Sequence, residues 1–285
     1  MGIDSAIALI ESIKDYKLLF VGDAIIDEYH YVTPLGKSPK ENIIPVMYLE
    51  KEVFNGGVVA AAEHARTFCS SVSLCASPTA VRKVRYVSKD HLRKLFEIHY
   101  DGVVARNTFI EGSYDAVIVT DFGHNRITDE MITNLCKLPY LAVNAQTNSS
   151  NIGYNLITKY PRADYIVIDE PEARLAAADR DGNIEDVMHM LAHGRCERFV
   201  VTHGTHGAYG YDHGKFYHCK AFTDRIVDTM GAGDAFFSIT APMSKTGDME
   251  DLLLIGNAAG ALKTQIVGHR KPVTKEALIE FIREN

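Results

Sequence analysis

Residues 226 to 238 read IVDTMGAGDAFFS, a glycine-punctuated turn with a carboxylate, Asp234, where an apolar helical pattern begins. Gly231 and Gly233 permit backbone angles closed to other residues, so the turn can aim several amide N–H groups at one point. The positive end of the following helix adds to that preference for an anion. Asp234 can be read in two ways. It can cap the helix. Or it can take a proton from an attacking hydroxyl while charge builds at the amides of Gly231, Ala232 and Gly233, as phosphoryl transfer to an alcohol requires. Other phosphate loops fail on spacing. There is no Gly-Lys-Ser/Thr ending, and Phe236 stands where a dinucleotide fingerprint needs its third glycine.

Other carboxylates fall where strands give way to loops. Asp23 and Asp27 follow an apolar run in LLFVGDAIIDEYHY. Such positions face the ligand crevice of an open α/β sheet, where carboxylates accept hydrogen bonds from hydroxyls. Asp169 and Glu172, in YIVIDEPEARLA, sit at a strand end and helix start. They are either favourable acids at a helix N-terminus or oxygen ligands for a hard cation. Thr202, Gly204 and Gly207 punctuate VVTHGTHGAYGY, which on its own is compatible with a plain hairpin. His189/His193 and His203/His206 lack an HExxH motif or a cysteine set, so zinc is not expected.

Those residues need a scaffold. Apolar runs at 18–21, 72–76, 116–119, 141–143, 165–168 and 199–201 have strand composition, and helical patterns follow most of them, at 128–137, 170–178 and 184–193. Helical patterns over 232–245, 249–266 and 275–283 end the chain. Continuous apolar strands alternating with helices predict an α/β doubly wound, mostly parallel sheet with helices on both faces. Two stretches break the rhythm, near 28–53 and 81–99, with alternating polarity of the kind in VRKVRYVS. They read as half-exposed antiparallel strands, forming either a small β-sheet flap over the site or ordinary surface hairpins. No repeat or linker divides the 285 residues, so a single domain over 1–285 is expected.

Composition bounds the remaining classes. Net charge is −7, which argues against a nucleic-acid partner, and no apolar segment is long enough for a membrane span. The five cysteines are odd in number and form no CxxC pair, so reduced thiols and a cytoplasmic location are expected.

DTMGAGDAFFS resembles the signature of the ribokinase-like, or phosphofructokinase B, family of sugar kinases. The resemblance implies Asp234 as catalytic base and the backbone of Gly231, Ala232 and Gly233 as anion hole. It also implies ATP and Mg2+ as cofactors. Thr202, Gly204 and Gly207 become nucleotide contacts, with Asn257 and Ala261 of the NAAGA stretch bordering the adenine pocket. Asp169 and Glu172 match the family's Asn-x-x-Glu, with aspartate in the asparagine position, and would organise magnesium. Asp23, Asp27, Asn55, Gly56 and Gly57 match sugar-site segments, although Ala60 replaces an asparagine common there. Within the family the flap sequences are similar to heptose-phosphate kinase domains and kinase–nucleotidyltransferase fusions. Lys83, Arg85 and Arg93 would either place positive charge over an already phosphorylated sugar or belong to a solvated strand face. The segment VNAQTNSSNIGYN departs from the Asp-Pro-Lys type, and the chain between Cys75 and Val81 is short for the family. The implied activity is ATP-dependent phosphorylation of a sugar or sugar phosphate by a homodimer paired through its flap strands. A nucleoside or simple-hexose kinase, and a catalytically weak nucleotide-binding partner of a nucleotidyltransferase, are the alternatives.

Overall fold

The computed structural model describes residues 2–77, 79–101, 112–222 and 226–285. In chain order the elements are α1 (Ile3–Ser12), β1 (Lys17–Gly22), β2 (Ala24–Pro34), β3 (Val46–Gly57), α2 (Val58–Arg66), β4 (Ser71–Ala76), β5 (Val81–Ser88) and β6 (Arg93–Tyr100). Next come β7 (Ala116–Asp121), α3 (Asp129–Leu135), β8 (Leu141–Ala145), β9 (Tyr165–Asp169), α4 (Glu170–Ala177), α5 (Ile184–Ala192) and β10 (Arg198–Thr202). The chain ends with β11 (Ala208–Asp212), β12 (Lys215–Cys219), α6 (Ala232–Met243), α7 (Met249–Thr264) and α8 (Lys275–Glu284).

The large sheet runs β12-β11-β10-β9-β8-β7-β1-β4. From β10 to β4 every pairing is parallel, and the β11–β12 hairpin closes one edge antiparallel. All six expected core strands lie in this parallel part. Side chains alternate across a strand, so each strand feeds two cores. Leu18 and Phe20 pack with α1, α2, α6 and α7 on one face. Leu19 and Val21 pack under α3 and α5 on the other. This two-sided burial is why the strands read as unbroken apolar runs.

The second sheet runs β3-β2-β5-β6. Its two hairpins are antiparallel, but β2 and β5 pair parallel, which corrects the all-antiparallel expectation. The cause is connectivity. β2 leaves β1 after a single residue, and β5 leaves β4 after four, so both run out from neighbouring strands of the large sheet in the same direction. The flap is also longer than the composition suggested, rooted at Ala24 and Gly57. Its central strand β5 is mostly buried, because Lys83 and Arg85 point under the flap and not to solvent. Gly57 turns the chain from β3 into α2 with φ 60°, and a Cβ there would stand 2.2 Å from the Asp23 carbonyl oxygen. Only glycine fits both constraints.

Candidate active site

Two cavities meet above the parallel strand ends. One, of about 340 Å³, is lined by Asp27, Gly57, Lys83, Arg85, Gln146, Asp234 and His269 among others. The other, of about 420 Å³, is lined by Thr202, Gly204, Gly207, Asn257 and Ala261 with Phe222, Phe236 and Ile226. Asp169, Thr202, Thr229 and Gly233 line both, so the glycine turn is the partition between them.

The turn is built by its N-cap. Gly231 has φ 76°, and a Cβ there would fall 2.8 Å from His269 Cε1. Ala232 opens α6, and Asp234 lies at the third helical position, one turn too late to be the cap. The cap makes no side-chain bond, so the capping reading of Asp234 does not hold. Among the described residues the Gly233 and Asp234 N–H groups make no hydrogen bond. They are orphan donors at the positive end of a helix of 12 residues. The Asp234 carboxylate accepts from Gln146 Nε2 at 2.5 Å. Burial raises its pKa above the ordinary carboxylate value, against the opposing charge of His269 and the Gln146 bond.

Asp27 sits at the root of β2 across the smaller cavity. Arg85 Nη1 donates to its Oδ1, and His269 Nε2 lies 3.7 Å from Oδ2. Gly56 is small because Asp27 packs on it: a Cβ there would be 2.4 Å from Oδ2. Arg85 also reaches Glu97, at 3.2 Å. Lys83 is 5% exposed and, among the described residues, makes no hydrogen bond or ion pair. Burial, then the Arg85 charge, lowers its pKa. A buried ammonium facing a cavity without a partner is costly unless an anion joins it.

Asp23 and Asn55 do not reach this cavity wall. Asp23 is buried below it, accepting from the Phe122 N–H at 2.8 Å, and burial with the Asp121 charge raises its pKa to about 7. Asn55 faces a separate cavity of about 430 Å³ beside His64 and Arg270. Gly56 contributes by packing alone.

Asp169 and Glu172 form a capping box at α4. Asp169 Oδ1 accepts from the Glu172 N–H, and Glu172 Oε2 from the Asp169 N–H. Glu172 Oε1 accepts from Thr147 N at 2.7 Å. Burial and the neighbouring Asp169 charge raise the Glu172 pKa to about 8. Both Glu172 oxygens are thus taken by backbone, which leaves Asp169 Oδ2 as the carboxylate oxygen open toward the two cavities. This donor set fits magnesium bound through one carboxylate, water and phosphate oxygens, not an all-protein cage. Among the described residues no group of three or more His, Cys, Asp or Glu could hold a metal.

Gln146, His269 and Lys94 also line the smaller cavity and carry no sequence signal of their own, whereas Thr229 belongs to the DTMGAGDAFFS signature. Gln146 lies in the segment that departs from the Asp-Pro-Lys pattern, and that departure was the one available hint. His269 stands in a loop after α7 with no periodicity to mark it.

Residues 154–276 match the pfkB family carbohydrate kinases. The 5-dehydro-2-deoxygluconokinase of Bacillus velezensis is 24% identical over 222 residues, 76% of this chain and 54% of that protein. The ATP-dependent ribose-1-phosphate kinase of Halopiger xanaduensis is 35% identical over 114 residues, 39% of this chain and 38% of that one. The chain thus spans about half, or less, of the length of these curated relatives. The structure of Arabidopsis thaliana ribokinase complexed with ribose and ATP superposes with a TM-score of 0.73 at 15% identity, covering 94% of this chain and 99% of that one. That likeness establishes the ribokinase-like fold. Among the described residues no helix is long and apolar enough to cross a membrane. Over residues 154–276 the chain thus matches the pfkB carbohydrate kinase family, and over nearly its whole length it has the ribokinase-like fold.

Proposed function

We propose that the chain is an ATP-dependent kinase acting on a hydroxyl of a sugar that already carries an anionic group, a sugar phosphate such as a heptose phosphate. The observation that carries the reading is the position of Asp234, buried on the partition between the two cavities beside two unpaired helix-start amides. ATP occupies the cavity of Thr202, Gly204, Gly207, Asn257 and Ala261, with its terminal phosphate at the partition. The acceptor occupies the cavity of Asp27, Gly57, Lys83 and Arg85. Asp234 takes the hydroxyl proton as the oxygen forms its bond to the γ-phosphorus. The bond to the bridging oxygen breaks and ADP leaves, while the open amides of Gly231, Gly233 and Asp234 hold the transferring oxygens, the Ala232 N–H being given to Thr229 O. Magnesium, held by Asp169 and water, would offset phosphate charge.

The unpartnered Lys83 supports the anionic acceptor. Lys83→Met is expected to raise KM for the preferred phosphorylated acceptor by about 100-fold, the worth of one buried charge-assisted bond, with KM for ATP unchanged. Measuring ATP consumption against sugars, sugar phosphates and nucleosides tests both parts. A neutral hexose or nucleoside as best acceptor would refute the anionic part, and silence across the panel despite ATP binding would refute the kinase.

Pairing of two copies through the flap is part of the proposal. The flap face opposite Lys83 carries His30, Tyr48, Tyr86 and Phe96 in ring contact, with Tyr86 and Phe96 stacked at 4.5 Å. Tyr48 is 55% and Phe96 49% exposed. Exposed aromatic clusters of this kind mark interaction surfaces. Phe96→Glu is expected to convert a dimer to a monomer in light scattering, and a wild type that is monomeric at all concentrations would refute the pairing.

A further inference from the structure

Lys263, in the last turn of α7, is completely buried, with no carboxylate among the described residues in hydrogen-bonding contact. Its ammonium donates to two backbone carbonyls, Met230 O and Gly268 O, each at 2.7 Å. Met230 immediately precedes the anion-hole turn, and Gly268 immediately precedes His269. Asp228 holds the same two residues by their other ends. Its Oδ1 accepts from Met230 N at 3.1 Å and its Oδ2 from Gly268 N at 2.9 Å. The anionic side chain takes both N–H groups, and the cationic one takes both carbonyls. Two residues in separate loops are thereby held through the peptide groups on both of their sides.

The parts are pressed together. A Cβ on Gly231 would lie 3.2 Å from Lys263 Cε as well as 2.8 Å from His269 Cε1. The flap reaches the same carboxylate, through Tyr29 OH at 2.9 Å and Lys94 Nζ at 2.9 Å. A buried ammonium whose hydrogen bonds, among the described residues, go to neutral carbonyls, with the Asp228 and Asp234 charges acting on it from further off, is an expensive way to join two loops if joining is all it does. Its positive charge also adds to that of the helix N-terminus where phosphoryl charge would develop.

We propose that Lys263 is a positioning residue for phosphoryl transfer, a built-in cation that, with Asp228, sets the anion-hole turn against the His269 loop. It acts through the Met230 and Gly268 carbonyls and touches neither substrate. The kinetic part rests on the kinase reading above; the clamp itself does not.

Two measurements test it. Lys263→Met keeps the length of the side chain and removes the charge. Turnover is expected to fall about 30-fold or more, with KM for ATP within about threefold, as for an interaction felt mainly in the transition state. Ethylammonium is expected to restore at least fivefold in Lys263→Ala, where sodium at equal ionic strength does not. Near-normal turnover of the Met variant in an active kinase overturns the proposal. Independently of activity, and on the wild type even if both variants misfold, hydrogen exchange reads the clamp. The Met230 and Gly268 amides are expected to exchange at least tenfold more slowly than those of Gly233 and Asp234, which make no bond. Equal rates overturn the clamp whether or not the chain is a kinase.

Discussion

Asp234→Asn is expected to lower kcat by about 10³-fold while ATP still binds, within the range set by loss of a positioned general base. The amide keeps an oxygen that can accept from Gln146 Nε2, so the local geometry survives and only the proton acceptor is lost. Stability should move the other way. Burial raises the Asp234 pKa in the folded protein, so ionising it in place costs folding free energy. For a carboxyl with a raised folded pKa, stability is greatest below the unfolded pKa and is lost as pH rises through the folded one. At neutral pH the wild type bears that cost and the Asn variant does not. A variant less active and more heat-resistant than its parent is the signature of a charge kept for chemistry and not for folding. The acid limb of kcat/KM should likewise lie above the ordinary carboxylate range, because under the proposed function activity needs the unprotonated form. Steady-state kinetics with a thermal melt decides it. Turnover within tenfold of wild type would remove Asp234 from the base role.

The parallel sheet was legible because two-sided burial writes continuous apolar runs into a strand, and all six runs lie in it. The partition turn was legible because its glycines have a local conformational reason. What lay hidden was everything decided by tertiary approach. Asp23 and Asp27 are four residues apart on one short motif, yet only Asp27 faces the cavity. The chain changes sheets between them, which no local pattern reports. The parallel β2–β5 pairing follows from where two strands leave the large sheet, again a non-local fact. Gln146, His269 and Lys263 come from three separate segments, and each looks unremarkable in its own surroundings. Asp169 and Glu172 were read as acids near a helix start or as metal ligands. Their capping box supplies the first reading with geometry and restricts the second to one free oxygen.

The ion pair between Arg85 of β5 and Asp27 of β2 joins the two central strands of the flap beside the smaller cavity. Both side chains are under 10% exposed, so neither charge has water to fall back on. Removing one partner of such a pair strands the other, at a cost of about 3–5 kcal/mol. Arg85→Met should therefore lower the melting temperature by roughly 10 °C. The Glu97 contact does not change this, because Glu97 is a third exposed and solvent screens it. Asp27 would be left with His269 Nε2 3.7 Å away, and burial holds that imidazole toward its neutral form. Adding Asp27→Asn removes the stranded charge, so the double variant should regain most of the lost stability. It should not regain turnover, because under the proposed function Asp27 holds the acceptor hydroxyl toward Asp234. Stability and activity thus separate along one double-mutant cycle. A stability coupling of about 2 kcal/mol or more is expected, and one below about 0.5 kcal/mol would show that the pair is solvated in the working protein. Recovery of turnover with stability in the double variant would instead confine Asp27 to a folding role and move the acceptor site toward Lys83.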